Sequence, residues 1–407
     1  MSGRRGTNLP RMGDYNLRVV LDQIRRSRTG VSRIELSELT GLSAQTITNL
    51  VTRLIADRRV VEGARHVSGP GKPRTMLHVR PESGHAIGVH IDPLALTVAL
   101  VDLSGAVVDR RVQPLPPTAA ETVDLIAAEV RHVRESHELE HLHGLGVAAP
   151  GPIDLDAGRM VRPPLLAWGD VPLRDLIRSA TGLATVLEKD VTAAMAAEIW
   201  QRHHTLRGTT LFTYLGYGIG FAFARDGELL TGASGNAGET GHIIVDADGP
   251  PCWCGNRGCI GIASSMDYLV EQGGDLGLLE PWDPSLPPWR IEVRMERLAA
   301  LAADGDARAR DLLEVCGRRI AHGIVLVADL LDADRVVVGG ANWERMRPYV
   351  VPAATEELGR FGTMRDLHAV EVEGTDLGIW VGAVGAASLV LDRALSPHAT
   401  ALLSAAE

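Results

Sequence analysis

The residues best placed for chemistry lie in one short stretch, GNAGETGH at 235–242 followed by PPCWCGNRGCIG at 250–261. His242, Cys252, Cys254 and Cys259 have the spacing H-x9-C-x-C-x4-C and use three of the chain's four cysteines. Imidazole nitrogen and thiolate sulfur are ligands that zinc prefers, and four protein ligands leave no open coordination position, so such a site is structural and not catalytic. Gly255 and Gly258 permit the tight turns that bring the thiolates together. Pro250, Pro251, Gly255, Asn256 and Gly258 predict a loop, where free thiols would be open to oxidation. Zinc is therefore the expected cofactor. The fourth cysteine, Cys316, lies in DLLEVCGRRIAHGIVLVADLL, a helical pattern in which it reads as core filling and His322 as an ordinary helix residue.

The elements that must hold this loop belong to a long chain with two electrostatic halves. Its 407 residues at 45% hydrophobic can build more than one core, which excludes a disordered tail. The cysteines are too few and too clustered for a secreted disulfide framework, and MSGRRGTNLPRMG lacks the apolar stretch of a signal peptide, so a cytoplasmic protein is expected. LGIWVGAVGAASLVL at 377–391 is too short for a bilayer and rich in small residues, which fits a closely packed buried helix and no membrane partner. Residues 1–80 hold 15 Lys and Arg against 6 Asp and Glu, whereas the remainder is acidic. A basic head on an acidic body implies a polyanion as partner of the head alone.

In the head, NLRVVLDQIRRSRTG from Asn16 has apolar residues at helical spacing. Ser32 with Glu35 three residues later forms a capping box, Gly41 stops that short helix, and Ser43 caps another running to about Asp57. Two short helices joined at a glycine are a helix-turn-helix, whose second helix offers Ser43, Gln45, Thr46 and Thr48 to the major groove. The flanks of SGPGKPR alternate as a two-stranded wing, with Lys72 and Arg74 suited to a narrow minor groove. Operator DNA is the expected partner of this winged helix, and such proteins commonly bind palindromes as homodimers, a homotetramer being the alternative.

After Pro81, HAIGVHIDPLALTVALVDLSGAVVDRRV reads as two β-strands with polar turns, and TLFTYLGYGIGFAFARDGELLT at 210–231 repeats the start. Two related α/β lobes with a cleft between them are the plan of actin-like, ribonuclease H-like sugar kinases. The motifs GLGVAAPGPID, WGDVPL, KDVTAAMAAE, GYGIG, GNAGETGH, CWCGNRGC and VVVGGA, in this order, resemble the ROK proteins, a family of repressors and sugar kinases. The expected division is a winged helix at 1–80, a smaller lobe at 81–195 with 376–407, and a larger lobe with the zinc loop at 196–375.

The resemblance puts Asp190 where the family has its catalytic aspartate, and Glu239 and His242 in its sugar-contacting ExGH motif. It also marks departures. DPLALT stands where active kinases have a glycine-rich DxGGT phosphate turn, and Tyr217 where a threonine is usual; Pro93 lacks an N–H, and Leu94 and Leu96 add bulk. Lys189 replaces an asparagine and Gly261 a glutamate. Lys189 could favour an anionic sugar, or merely pair with Glu188 or face solvent. The expectation is a transcriptional regulator, a repressor, whose non-catalytic body binds a sugar or sugar derivative through Lys189, Asp190, Glu239 and His242. The alternatives are a kinase that also binds DNA, and a regulator that has lost sugar binding and answers to another ligand or protein.

Overall fold

The computed structural model describes residues 9–66, 74–202, 206–283, 288–363 and 365–397. Helix α1 (Leu9–Arg26) opens ahead of the apolar spacing that begins near Asn16. In α2 (Arg33–Thr40) the Ser32 hydroxyl accepts the Glu35 N–H while the Glu35 carboxylate accepts the Ser32 N–H, and Gly41 ends the helix at φ 69°. Ser43 caps α3 (Ala44–Ala56) by accepting the Thr46 N–H. Strands β1 (Val60–His66) and β2 (Arg74–Val79) pair antiparallel as the wing, and Val31 bridges Leu77 beside them. Ile24, Leu36, Ile47, Leu54 and Leu77 are fully buried between these elements.

The body is one strand plan used twice. Strands β3 (His85–Ile91), β4 (Ala95–Asp102) and β5 (Val107–Pro114) run antiparallel. There are three strands where the apolar runs indicated two, because β5 alternates exposure along an edge and carries no apolar run. Helix α4 (Ala119–Ser136) leads to β6 (Leu142–Ala149), parallel to β3. A small hairpin, β7 (Ile153–Asp154) and β8 (Arg159–Met160), and helix α5 (Leu173–Thr181) precede β9 (Thr185–Lys189), parallel to β6. Helix α6 (Asp190–Gln201) then leaves the first sheet.

The second sheet repeats the order with β10 (Thr209–Leu215), β11 (Ile219–Arg225) and β12 (Glu228–Leu229) antiparallel. Helices α7 (Ile260–Ala263), α8 (Met266–Asp275), α9 (Pro288–Ala303) and α10 (Ala307–Leu331) precede β13 (Arg335–Gly339), and α11 (Trp343–Phe361) precedes β14 (Glu371–Gly374). The sheets read β5-β4-β3-β6-β9 and β12-β11-β10-β13-β14, each an antiparallel meander extended by two parallel strands. Cys316 is buried in α10, and His322 on the same helix lies 3.5 Å from Glu357.

Helix α12 (Val381–Leu395) returns to the first sheet and packs on β3, β6 and α6. A Cβ on Gly146 would fall 1.9 Å from the Ala386 carbonyl oxygen, and one on Gly385 1.7 Å from that of Ala193, so only glycine admits backbone this close. Among the described residues, the one helical stretch long and apolar enough to cross a bilayer, Gly378–Leu395, is mostly buried in this packing. The winged helix is not tethered loosely to the body. Leu17, Val20 and Leu21 of α1 share a core with Trp200 of α6 and Val390, Leu391 and Leu395 of α12.

Candidate functional site

Strand β9 delivers Lys189 to the mouth of α6, where Lys189 is the N-cap residue and Asp190 the first residue of the helix. Burial pushes the Asp190 carboxyl up to about 7; Lys189 and the Val191 N–H oppose the shift, and Asp92 and Glu239 add to it. Glu239 enters from the other lobe. It follows Gly238, whose φ is +87° and whose Cβ would meet the Phe221 carbonyl oxygen at 1.7 Å, so that backbone lies flat against β11. The buried Lys189 Nζ sits 2.9 Å from Glu239 Oε1 and donates to the Ala237 carbonyl at 3.4 Å. Lys189 therefore neither pairs its ammonium with Glu188 nor faces solvent. Its charge is engaged across the cleft.

Lys189, Asp190 and Glu239 line a small cavity of about 90 Å³ together with Asp92 and Tyr214. Glu239 also lines an adjoining chamber of about 750 Å³, and His242 faces that chamber and not the small one. The lobes are clasped beside it by Asn236, whose side-chain oxygen accepts the Ile153 N–H at 2.9 Å and whose amide donates to the Ile153 carbonyl at 2.8 Å.

The DPLALT turn contributes a second clasp. The buried Asp92 carboxylate accepts the Leu94 N–H at 3.0 Å and also the Tyr217 N–H, and desolvation raises its pKa to about 6. Leu94 itself is buried in the core of the second lobe with Leu211, Leu215 and Phe221. Tyr217 turns its hydroxyl to Asp267, donating at 2.6 Å. The DPLALT turn and the GYGIG turn are thus bonded to each other.

His242 Nδ1 lies 3.6 Å from Cys252 Sγ, Cys254 Sγ lies 3.6 Å from Cys259 Sγ, and all four ligand atoms fall within 4.8 Å of one another. A tetrahedral zinc with ordinary bond lengths needs edges of about 3.6–3.8 Å between such atoms. The donor set therefore fits a metal. Because Nδ1 faces the thiolates, the outer face of the imidazole is left to the chamber, and Trp253 meets it edge-on at 4.6 Å.

On the winged helix, Ser43, Gln45 and Thr48 are exposed and Thr46 is half-buried. The Ser43 and Thr46 hydroxyls bond each other at 2.9 Å, and that of Thr48 donates to the Ala44 carbonyl. The exposed Gln45 side chain donates its amide N–H to Asn49 Oδ1 at 3.1 Å. Arg74 begins β2 and lies 3.7 Å from Glu35 of α2. Lys72 lies outside the described residues.

The sequence pattern of the ROK family matches residues 86–393. The chain belongs to the ROK family. The xylose repressor of Bacillus subtilis (strain 168) is 24% identical over 383 residues, 93% of this chain and 96% of its own. The DNA-binding transcriptional repressor Mlc of Escherichia coli (strain K12) is 25% identical over 390 residues, 91% and 94% of the two chains. Among solved structures, a ROK family transcriptional regulator described as a homolog of the E. coli Mlc protein superposes with TM-score 0.74 at 21% identity, over 95% of this chain and 98% of that one. A ROK glucokinase from Streptomyces griseus, in complex with glucose and AMPPNP, has TM-score 0.64 at 28% identity, over 75% of this chain and 99% of its own. The fold is the two-lobed, actin-like kinase fold of these ROK proteins, preceded here by the winged helix.

Sequence reasoning missed three residues of this ROK cleft and its surroundings, Asp92, Asn236 and Trp253, and one on the winged helix, Asn49. Asn49 sits one helical turn beyond Gln45, a spacing that could have flagged it. Asp92 opens the DPLALT turn and was visible as its first residue. Asn236 and Trp253 stand inside quoted motifs, but their roles depend on what the other lobe and the metal loop bring beside them.

Proposed function

We propose that the protein is a transcriptional repressor whose winged helix binds operator DNA and whose ROK body binds a sugar in the cleft between its lobes without phosphorylating it. The observation that carries this reading is helix α6. It begins at Asp190 in the cleft and ends at Trp200 and Gln201 against helix α1, where the Arg25 guanidinium lies 3.6 Å over the Trp200 ring and Arg28 donates to the Gln201 carbonyl. A displacement of its N-terminus by ligand is carried about 18 Å along a rigid helix to the base of the DNA-binding unit.

Named relatives that span nearly the whole chain are repressors, which supports the regulatory role. In the kinase fold the DPLALT turn would have to cradle phosphates; with Pro93 lacking an N–H and Leu94 anchored in the far lobe, it is suited to closing the lobes instead. On this reading Asp190, together with Lys189, Glu239 and His242, is a ligand contact, and Gln45 with its neighbours Ser43, Thr46 and Thr48, plus Lys72 and Arg74, contact DNA. His242, Cys252, Cys254 and Cys259 hold a structural zinc, which would fix the orientation of an imidazole that also borders the ligand. Residues 1–80 form the DNA-binding unit, and the protein acts as a homodimer or homotetramer on a palindromic site.

The test is to select operator DNA with the purified protein, then titrate sugars with and without ATP while following DNA affinity and ADP release. The reading expects a sugar-dependent change in operator affinity and no sugar-dependent ADP. Turnover in the kinase range, on the order of 1–100 per second, would favour a DNA-binding kinase.

A further inference from the structure

We propose that the cleft takes a neutral disaccharide, or a longer glycoside, with one ring beside Asp190 and Glu239 and the next stacked on Trp253; this rests on the cleft's being the sugar site argued above. The small cavity beside Asp190 is not closed off. It shares Glu239, Leu165, Gly218 and Ile219 with the chamber of about 750 Å³. That volume lies in the upper part of the roughly 300–1,000 Å³ range of small-molecule pockets and exceeds the needs of one pyranose ring. Gly261 gives the chamber wall bare backbone, where even a Cβ would lie 2.9 Å from the Gly241 carbonyl oxygen, so no side chain there bars an extension of the ligand.

Trp253 lines this chamber with 78% of its surface exposed, although it stands between two of the metal-site cysteines and against His242. A large indole left uncovered in a concavity is a platform awaiting an apolar face. The C–H face of a pyranose provides one, and its rim hydroxyls need acceptors and donors around the platform. Asp248, Glu271 and Gln272 supply them.

Charge decides against a phosphorylated or acidic sugar. Around the chamber Glu239, Asp248, Asp267 and Glu271 stand against a single arginine, Arg257, among the described residues. The one lysine that could have attracted an anion, Lys189, is already held by Glu239.

Isothermal titration of the full-length, metal-loaded protein would use glucose, xylose and N-acetylglucosamine beside cellobiose, xylobiose, diacetylchitobiose and glucose 6-phosphate. At least one disaccharide is expected to bind about tenfold more tightly than its own monosaccharide, the gain a stacked ring supplies. Trp253→Ala should erase that difference with metal content as in wild type, and Trp253→Phe should restore most of it. Elemental analysis of both variants separates loss of the platform from loss of the loop. Equal affinity for mono- and disaccharides, preference for glucose 6-phosphate, or a Trp253→Ala protein with undiminished disaccharide affinity would each overturn the inference while leaving the sugar site standing. Failure of every sugar to bind would overturn the sugar site as well.

Discussion

Arg25 of the DNA-binding unit stacks its guanidinium 3.6 Å above the indole of Trp200, and Trp200 rides on the helix that starts at Asp190. Arg25 is buried, paired with Asp22 at 2.9 Å, and close to no solvent that could replace the ring. A desolvated cation over an indole is worth about 2 kcal/mol or more. Arg25→Met keeps the apolar stem and removes the charge. Operator binding should survive in this variant, while the change in affinity caused by sugar falls by about tenfold or more; fluorescence anisotropy on labelled operator with and without sugar reads both.

The ion pair across the cleft makes an asymmetric prediction. Lys189 is buried and Glu239 half-exposed, so removing Glu239 strands a buried ammonium whereas removing Lys189 leaves a carboxylate that water can reach. Glu239→Gln should therefore destabilise more than Lys189→Met, by roughly 1–3 kcal/mol, as read from denaturant melts of the two variants.

Asp190 gives stability a dependence on pH. Its carboxyl titrates at about 7 in the folded protein and near 3.9 in an unfolded chain. The folded state holds the extra proton between those values, so the contribution is complete below about pH 4 and is lost as pH rises toward 7. Asp190→Asn cannot lose it. The Tm of Asp190→Asn relative to wild type should rise by roughly 1 °C for each kcal/mol involved between about pH 5 and pH 8, measured by scanning calorimetry; a flat difference would show the carboxyl to be unperturbed.

Leu94 belongs to the DPLALT turn of one lobe and to the core of the other. Leu94→Ala should cost about 2–5 kcal/mol, as for other buried leucines, and chemical denaturation measures it. A near-neutral result would mean that the turn stands free of the second lobe.

What could be read from the sequence follows from how local each signal is. Ser32, Glu35, Gly41 and Ser43 announce their helices because caps bond within four residues, and the His/Cys cluster that could hold a metal is legible because three of its members lie in one loop. The repeat of strand, turn and strand exposed the two lobes. By contrast, Lys189 finds Glu239 fifty positions away, Asn236 finds Ile153, and Arg25 finds Trp200, contacts that only the folded lobes create. Helix α1 starts at Leu9 through a proline and a glycine that hide its period, and β5 was overlooked because an edge strand needs no apolar run.

The central claim is that a sugar between the lobes changes DNA affinity without chemistry. Operator affinity measured at fixed salt, with and without a saturating neutral sugar and in the absence of ATP, tests it most directly. Wild type should shift by about 5–150-fold, the usual span of such coupling, and Asp190→Asn should require more sugar for the same shift. A wild-type protein that binds the sugar yet holds its operator with unchanged affinity would contradict the account.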